Sequence, residues 1–276
     1  MMIKLTYLSV LLFFILVPLI INVLYLVYRH YSHTSVGIPN NLVKTSRYFT
    51  TIIILTIIAL LYTTPWDNFL VANKIWYYDA NKVIGIVIGY VPIEEYTFFV
   101  LQTLLVSFFI FTYIKTLNLN STDERERKDI RVISTILLLL IWLTAIFSYI
   151  SEINALVYMN LILIWALPPI ILQLMYGADI LWAKKRPLVL FILISTAYLS
   201  IVDALAISAN IWTISLNTST GILIGGILPI EEMVFFLVTN VLIIFGLTLI
   251  ASKKSEIRFR SYLNRVKSNS RKIKGD

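Results

Sequence analysis

Seven stretches of this chain are apolar for long enough to cross a lipid bilayer as helix, which restricts both its solvent and its fold class. A helix needs about 20 apolar residues to span the hydrocarbon core. Runs near 5–28, 48–70, 83–114, 131–150, 154–177, 188–209 and 221–250 reach or approach that length. Lipid offers no hydrogen bonds, so spanning backbone must satisfy itself, and helix is the form that does so within one segment. The expected fold class is therefore all-α, a polytopic membrane protein with about seven transmembrane helices. Runs three and seven exceed what a bilayer requires, so tilt, a kink at Pro92 and Pro229, or projection from the membrane is expected. The first run is too long for a signal peptide and lacks a small-residue cleavage site, so it is read as the first span. Composition agrees, with 59% hydrophobic and 14% charged residues, against roughly half and a quarter in soluble domains.

The charges that remain fall unevenly. The N-terminus and the loops near 71–82, 151–153 and 210–220 share one side, with Lys4, Lys74 and Lys82 as their only basic residues. The rest of the 23 Lys and Arg lie in the loops near 29–47, 115–131 and 178–187 and in the C-terminal tail. The positive-inside rule then predicts a multi-pass cell-membrane protein with its N-terminus outside and its C-terminus cytoplasmic. This reading accounts for the net charge of +8 without a nucleic-acid partner. The basic tail, 252–276, is expected to be solvated and without fixed structure near anionic lipid. Cysteine is absent, which excludes disulfides and thiolate chemistry. His30 and His33 sit together in a polar loop and no span holds a histidine, so no metal site is expected.

The chain repeats itself. Asp67 is followed by Trp76, Pro92-Ile93-Glu94-Glu95 and Phe98-Phe99; later Asp203 is followed by Trp212, Pro229-Ile230-Glu231-Glu232 and Phe235-Phe236. Asp and Trp are equally spaced in both copies, and Val17-Pro18 has a counterpart in Leu167-Pro168. Three spans make each copy and one span links them, so both copies should have the same orientation. They would then be related by a pseudo-twofold axis along the membrane normal. The expected organisation is a first repeat over 1–118, a linker with the fourth span over 119–152, a second repeat over 153–251 and the tail.

Six acids, Asp67, Glu94, Glu95, Asp203, Glu231 and Glu232, fall in or beside predicted spans. One ionised Asp at mid-membrane costs about 2.5–3.5 kcal/mol on insertion scales. No Lys or Arg occurs between Arg186 and Lys253 to offset that cost. Some of these acids are therefore expected to be neutral, the form a general acid requires. At roughly 100° per residue, Glu94, Phe98, Gln102 and Glu95 share one arc of a helix, as do Glu231, Phe235, Thr239 and Glu232. Gln102 or Thr239 could orient a carboxyl there. The competing structural reading makes Pro-Ile-Glu-Glu a helix start, with acids at the positive dipole end. For Trp66, Trp76 and Trp212 an interfacial anchor is the favoured role. The Phe pairs suit packing, or stabilisation of a cation by their ring faces.

Thr64-Pro65-Trp66-Asp67-Asn68, Ile75-Trp76, Pro92-Ile93-Glu94-Glu95 with Phe98-Phe99, and their second-half counterparts resemble the membrane-integral lycopene cyclase family. In that family two homologous small membrane subunits form the enzyme or are fused in one chain, as in archaeal and fungal forms. The resemblance covers roughly residues 1–250, so the fused form is implied, without the phytoene synthase domain of the fungal fusion. It implies redox-neutral cyclisation of the ψ-ends of lycopene to β-rings. A general acid protonates the terminal double bond, the ring closes on the cation, and a base removes a proton. Glu94, Glu95, Glu231 and Glu232 are the expected acids and bases, with Asp67 and Asp203 in support. Phe98, Phe99, Gln102, Phe235, Phe236, Thr239, Trp76 and Trp212 are the expected substrate contacts. Expected partners are a lipid-soluble carotenoid, the bilayer and other enzymes of the carotenoid pathway. No cofactor is expected, because the Gly-x-Gly-x-x-Gly of flavin-dependent lycopene cyclases is missing. Alternatives are an ε-ring or C50 cyclase and a proton-coupled transporter. An intramembrane protease would need histidine in a span, and a retinal protein would need lysine in span seven; neither is present.

Overall fold

The computed structural model describes residues 5–31, 42–113, 117 and 126–273. Lys4, His33 and much of the loops near 29–47 and 115–125 lie outside the described residues. Among the described residues seven helices are long and apolar enough to cross a membrane. The first span joins α1 (Tyr7–Val10), a π-helical stretch (Leu11–Leu16) and α2 (Val17–Tyr31). The others are α3 (Leu42–Ala72), α4 (Ile93–Thr112), α5 (Lys128–Ile150), α6 (Val157–Ala183), α7 (Lys185–Ser208) and α8 (Ile230–Ala251). Helix α5 packs on α6 and buries Ala145 alone, which leaves most of its apolar surface facing outward. Phe13 and Phe147 are likewise exposed, as a lipid-facing surface requires.

Prolines inside these helices each free a carbonyl four residues upstream, and in lipid such a carbonyl needs a donor. Pro18 frees Phe14, whose carbonyl accepts the Tyr198 hydroxyl of α7 at 2.6 Å. Pro169 frees Trp165, whose carbonyl accepts the Tyr62 hydroxyl of α3 at 2.8 Å. Pro168 frees Ile164, which accepts the Trp142 indole N–H of α5 at 3.1 Å. The two tyrosine bonds tie α3 to α6 and α7 to the first span, so each runs between the first three spans and the last three.

Spans three and seven differ from expectation. Their helices begin only at Ile93 and Ile230, and the residues before them form two short antiparallel hairpins. Strand β2 (Val87–Ile88) pairs with β3 (Val91–Pro92), and β5 (Leu223–Ile224) pairs with β6 (Leu228–Pro229). Pro92 and Pro229 are therefore extended N-cap residues and not kinks. The physical reason lies in the glycines, since the turns place Gly89, Gly225 and Gly226 at positive φ, which helix does not use. Two further strands, β1 (Trp76–Tyr78) and β4 (Trp212–Ile214), pair antiparallel with Tyr77 opposite Thr213. Counted from Asp67 and Asp203, residue 213 is the counterpart of 77. The two strands thus meet as a twofold axis through that pair would arrange them.

The tail also differs from expectation. Residues Lys253–Ile273 form helix α9. Arg258 holds it to the protein through a two-pronged contact with the buried carboxylate of Asp179, at 2.6 and 3.0 Å. Lys254 and Arg131 approach the same carboxylate at 3.6 and 3.7 Å. Asp179 is a buried charge paired on several sides, which is how such a charge is tolerated.

Candidate active site

The helix starts bring the acids inward. Glu94 and Glu95 occupy the first turn of α4, and Glu231 and Glu232 that of α8, where the positive dipole end favours negative charge. Adjacent positions on a helix lie about 100° apart, so the two glutamates of each pair meet different partners. Glu94 turns back to its hairpin and accepts the Ile84 amide at 2.5 Å. Glu231 does the same with the Thr220 amide at 2.6 Å.

Glu95 and Glu232 turn into the interior, where tyrosines meet them. Glu95 accepts hydrogen bonds on one oxygen from Tyr7 and from Tyr78, the latter at 2.9 Å. Glu232 accepts one from Tyr158 at 2.7 Å. Tyr7 and Tyr158 begin the first and fifth spans, and their amides bond the carbonyls of Lys82 and Thr218, both at 2.9 Å. Each ring packs on a tryptophan from the other end of the chain: Tyr7 on Trp212 at 4.9 Å, Tyr158 on Trp76 at 5.5 Å. Burial, and after it the nearby Glu95 charge, push the Tyr78 phenol well above its usual range, so Tyr78 remains a donor.

The two aspartates differ. Asp203 accepts the Trp212 indole N–H at 2.9 Å, whereas both oxygens of buried Asp67 and the Trp76 indole N–H have no hydrogen-bond partner among the described residues. Asp67, Glu95, Asp203 and Glu232 are all buried. No Lys or Arg among the described residues forms an ion pair with these four acids.

Glu95, Glu232 and Asp203 line one cavity of about 30 Å³ together with aromatic rings. Phe98, Phe235, Phe236, Trp76 and Trp212 lie on its wall, as do Tyr7, Tyr78 and Ile214. Trp66 and Trp165 stack at 4.5 Å behind Phe235, with Trp66 also stacked on that ring at 5.7 Å. Trp76 is buried, and Trp66 and Trp212 are partly buried against the core. Gln102 donates to Thr239 at 3.2 Å, so this pair joins α4 to α8 and does not orient a carboxyl. The arrangement can give a proton, take a proton and face a carbocation with aromatic π surface.

The chain is similar to proteins whose names share lycopene cyclase. It is 37% identical over 200 residues to a lycopene beta-cyclase of Halobacterium salinarum, covering 72% of this chain and 81% of that protein. It is 34% identical over 198 residues to a bifunctional lycopene cyclase/phytoene synthase of Aspergillus oryzae. That match covers 71% of this chain and 33% of the fungal protein. The chain belongs to the lycopene cyclase family. No family model matches it, and no solved structure matches it.

For a lycopene cyclase, some expected site residues stand on the cavity and some do not. Glu94, Glu231, Asp67, Phe99, Gln102 and Thr239 are outside its lining. The sequence reading missed Tyr7, Tyr78 and Tyr158. A signal for two of them was present once Pro18 is paired with Pro169, one residue on from Pro168, since Tyr7 precedes Pro18 by the same distance that Tyr158 precedes Pro169. Tyr78 has no counterpart, because Ile214 stands at the matching position, and repetition could not have found it.

Proposed function

We propose that this chain cyclises the ψ-ends of lycopene to β-rings by acid–base catalysis in the membrane. The observation that carries the proposal is the pair of inward-facing glutamates, each hydrogen-bonded to tyrosine, on one aromatic cavity. The lycopene beta-cyclase relative, 81% of which is matched by this chain, supports the same activity.

One carboxyl delivers a proton to C2 of the terminal double bond and leaves a tertiary cation at C1. The C5–C6 double bond attacks C1, forms the ring bond and moves the cation to C5. Loss of the C6 proton to a second carboxyl restores a double bond within the ring. One proton enters and one leaves, so no oxidant or reductant is required, and acid–base side chains supply the chemistry. Phe98, Phe235, Phe236 and the indoles present π faces to the travelling charge. Glu94 and Glu231 brace the hairpins, and Asp67 and Asp203 share protons with the glutamates.

A volume of about 30 Å³ matches a water molecule or two and is too small for a ring of ten or so carbons. Admission of the polyene end therefore involves displacement of lining side chains. The proposed topology has two three-span repeats related by a pseudo-twofold axis, the N-terminus outside and the basic end cytoplasmic. Other carotenoid enzymes would be neighbours there, since substrate and product are both dissolved in lipid. Expression in a lycopene-accumulating host tests the function, with cyclic carotenoid as the expected pigment. Unchanged lycopene would overturn it.

A further inference from the structure

The two inward-facing glutamates differ in the number of phenols that meet them. Glu95 receives two phenol hydrogen bonds on a single oxygen, from Tyr7 and Tyr78. Glu232 receives one, from Tyr158. The difference comes from the strand pair: Tyr78 ends β1, while Ile214, at the matching end of β4, has no donor. Tyr78 and Ile214 both line the cavity, so the asymmetry is placed where the substrate end must lie.

A cyclisation that takes a proton at one carbon and gives one up at another needs unlike partners. A carboxylate is acceptor only, while a carboxylic acid must use one oxygen as donor. Two donors converging on one oxygen suit the acceptor form, and charge-assisted bonds of this kind are the stronger ones. With one donor on one oxygen, Glu232 keeps more freedom to carry a proton toward the cavity. We infer that the two glutamates divide the reaction, Glu232 protonating the polyene and Glu95 removing the ring proton, with Tyr78 as the positioning residue that assigns the roles. This inference rests on the cyclase reading.

Its balance is closed. Glu232 loses its proton to C2, the C1–C6 bond forms, and Glu95 takes the proton from C6. Each turnover leaves Glu95 protonated and Glu232 ionised, and one proton crossing the cavity that both line restores the start.

The test uses the full chain in lycopene-loaded liposomes made up in D2O, with Glu232→Gln, Glu95→Gln and Tyr78→Phe variants. Glu232→Gln should lower lycopene consumption by about 100-fold or more, the range assigned to a lost acid or base, with no deuterium entering recovered substrate. Glu95→Gln should still consume lycopene and place deuterium at C2. Its products should shift to rings formed by loss of the C4 proton or to hydroxylated rings from capture of water. Tyr78→Phe keeps the ring that stacks on Tyr7 at 6.1 Å. It should lower kcat about tenfold at little-changed KM and show the same shift of products in smaller degree, which a structural defect would not produce. Equal loss in both glutamine variants, the reversed pattern, or β-rings alone from both Glu95→Gln and Tyr78→Phe would overturn the division. Failure of the wild-type chain to cyclise lycopene would instead overturn the cyclase reading itself.

Discussion

The Tyr62 hydroxyl donates to the Trp165 carbonyl at 2.8 Å, the carbonyl that Pro169 leaves without its helical partner. Tyr198 serves the Phe14 carbonyl above Pro18 in the same way at 2.6 Å. Proline opens a place in one helix, and a tyrosine on another closes it.

Tyr62→Phe and Tyr198→Phe should therefore each lower stability by about 1–3 kcal/mol, the cost of leaving a buried acceptor unpaired. The two bonds lie on different helix pairs, so the double variant should lose close to the sum. Thermal unfolding in detergent measures this, and unchanged midpoints in both single variants would count against the satisfied-carbonyl account.

Tyr158 donates to Glu232 at 2.7 Å and is fully buried. Glu232 becomes a carboxylate as its proton leaves, and a hydrogen bond to a charged group is worth about 1.5–3 kcal/mol, so Tyr158→Phe should cost roughly ten- to a hundredfold in turnover. The ring is retained and still packs on Trp76. Turnover in liposomes at matched protein amount is the measurement, and wild-type activity would remove Tyr158 from the site.

Glu94 and Glu95 are neighbours with different partners, which a pair of glutamine variants can separate. Glu94→Gln keeps an oxygen able to accept the Ile84 amide and should stay within about threefold of wild type, the scale of a modest hydrogen-bond change. Glu94→Ala removes the acceptor and should speed amide exchange over the hairpin. If Glu94→Gln proves as inactive as Glu95→Gln, the bracing role fails.

Arg258 fixes α9 to Asp179 by two contacts at 2.6 and 3.0 Å. Breaking a buried pair can cost about 3–5 kcal/mol, a figure that Lys254 and Arg131 should reduce by remaining near the carboxylate. Arg258→Ala should loosen α9, seen as faster proteolysis within 253–273 while the spans stay intact. Identical cleavage rates would show that α9 is held by other means.

Much of the fold was legible because lipid makes span length a strict requirement. The seven runs became seven helices, and Pro-Ile-Glu-Glu was recognisable because acids are costly in apolar surroundings. The hairpins before Ile93 and Ile230 were not legible. Their residues are as apolar as helix, and only the turn glycines distinguish them. The tail was read as unstructured from its charge, although Phe259, Tyr262 and Leu263 lie about a turn apart along α9. Its anchor, Asp179, is distant in sequence from Arg258, and single-chain periodicity carries no record of such pairs.

The pattern of residues alone places this chain in lipid and puts acids there in two copies of Pro-Ile-Glu-Glu. Both follow from the free energy of placing apolar and charged groups, which depends on composition and order alone. Packing of the helices settled which groups each acid bonds. Glu94 and Glu95 are adjacent and chemically identical, yet one meets a backbone amide and the other meets Tyr7 and Tyr78. Those partners come from other elements, and hydrogen bonds act over only about 3 Å, so the partners of each acid were set when the helices packed.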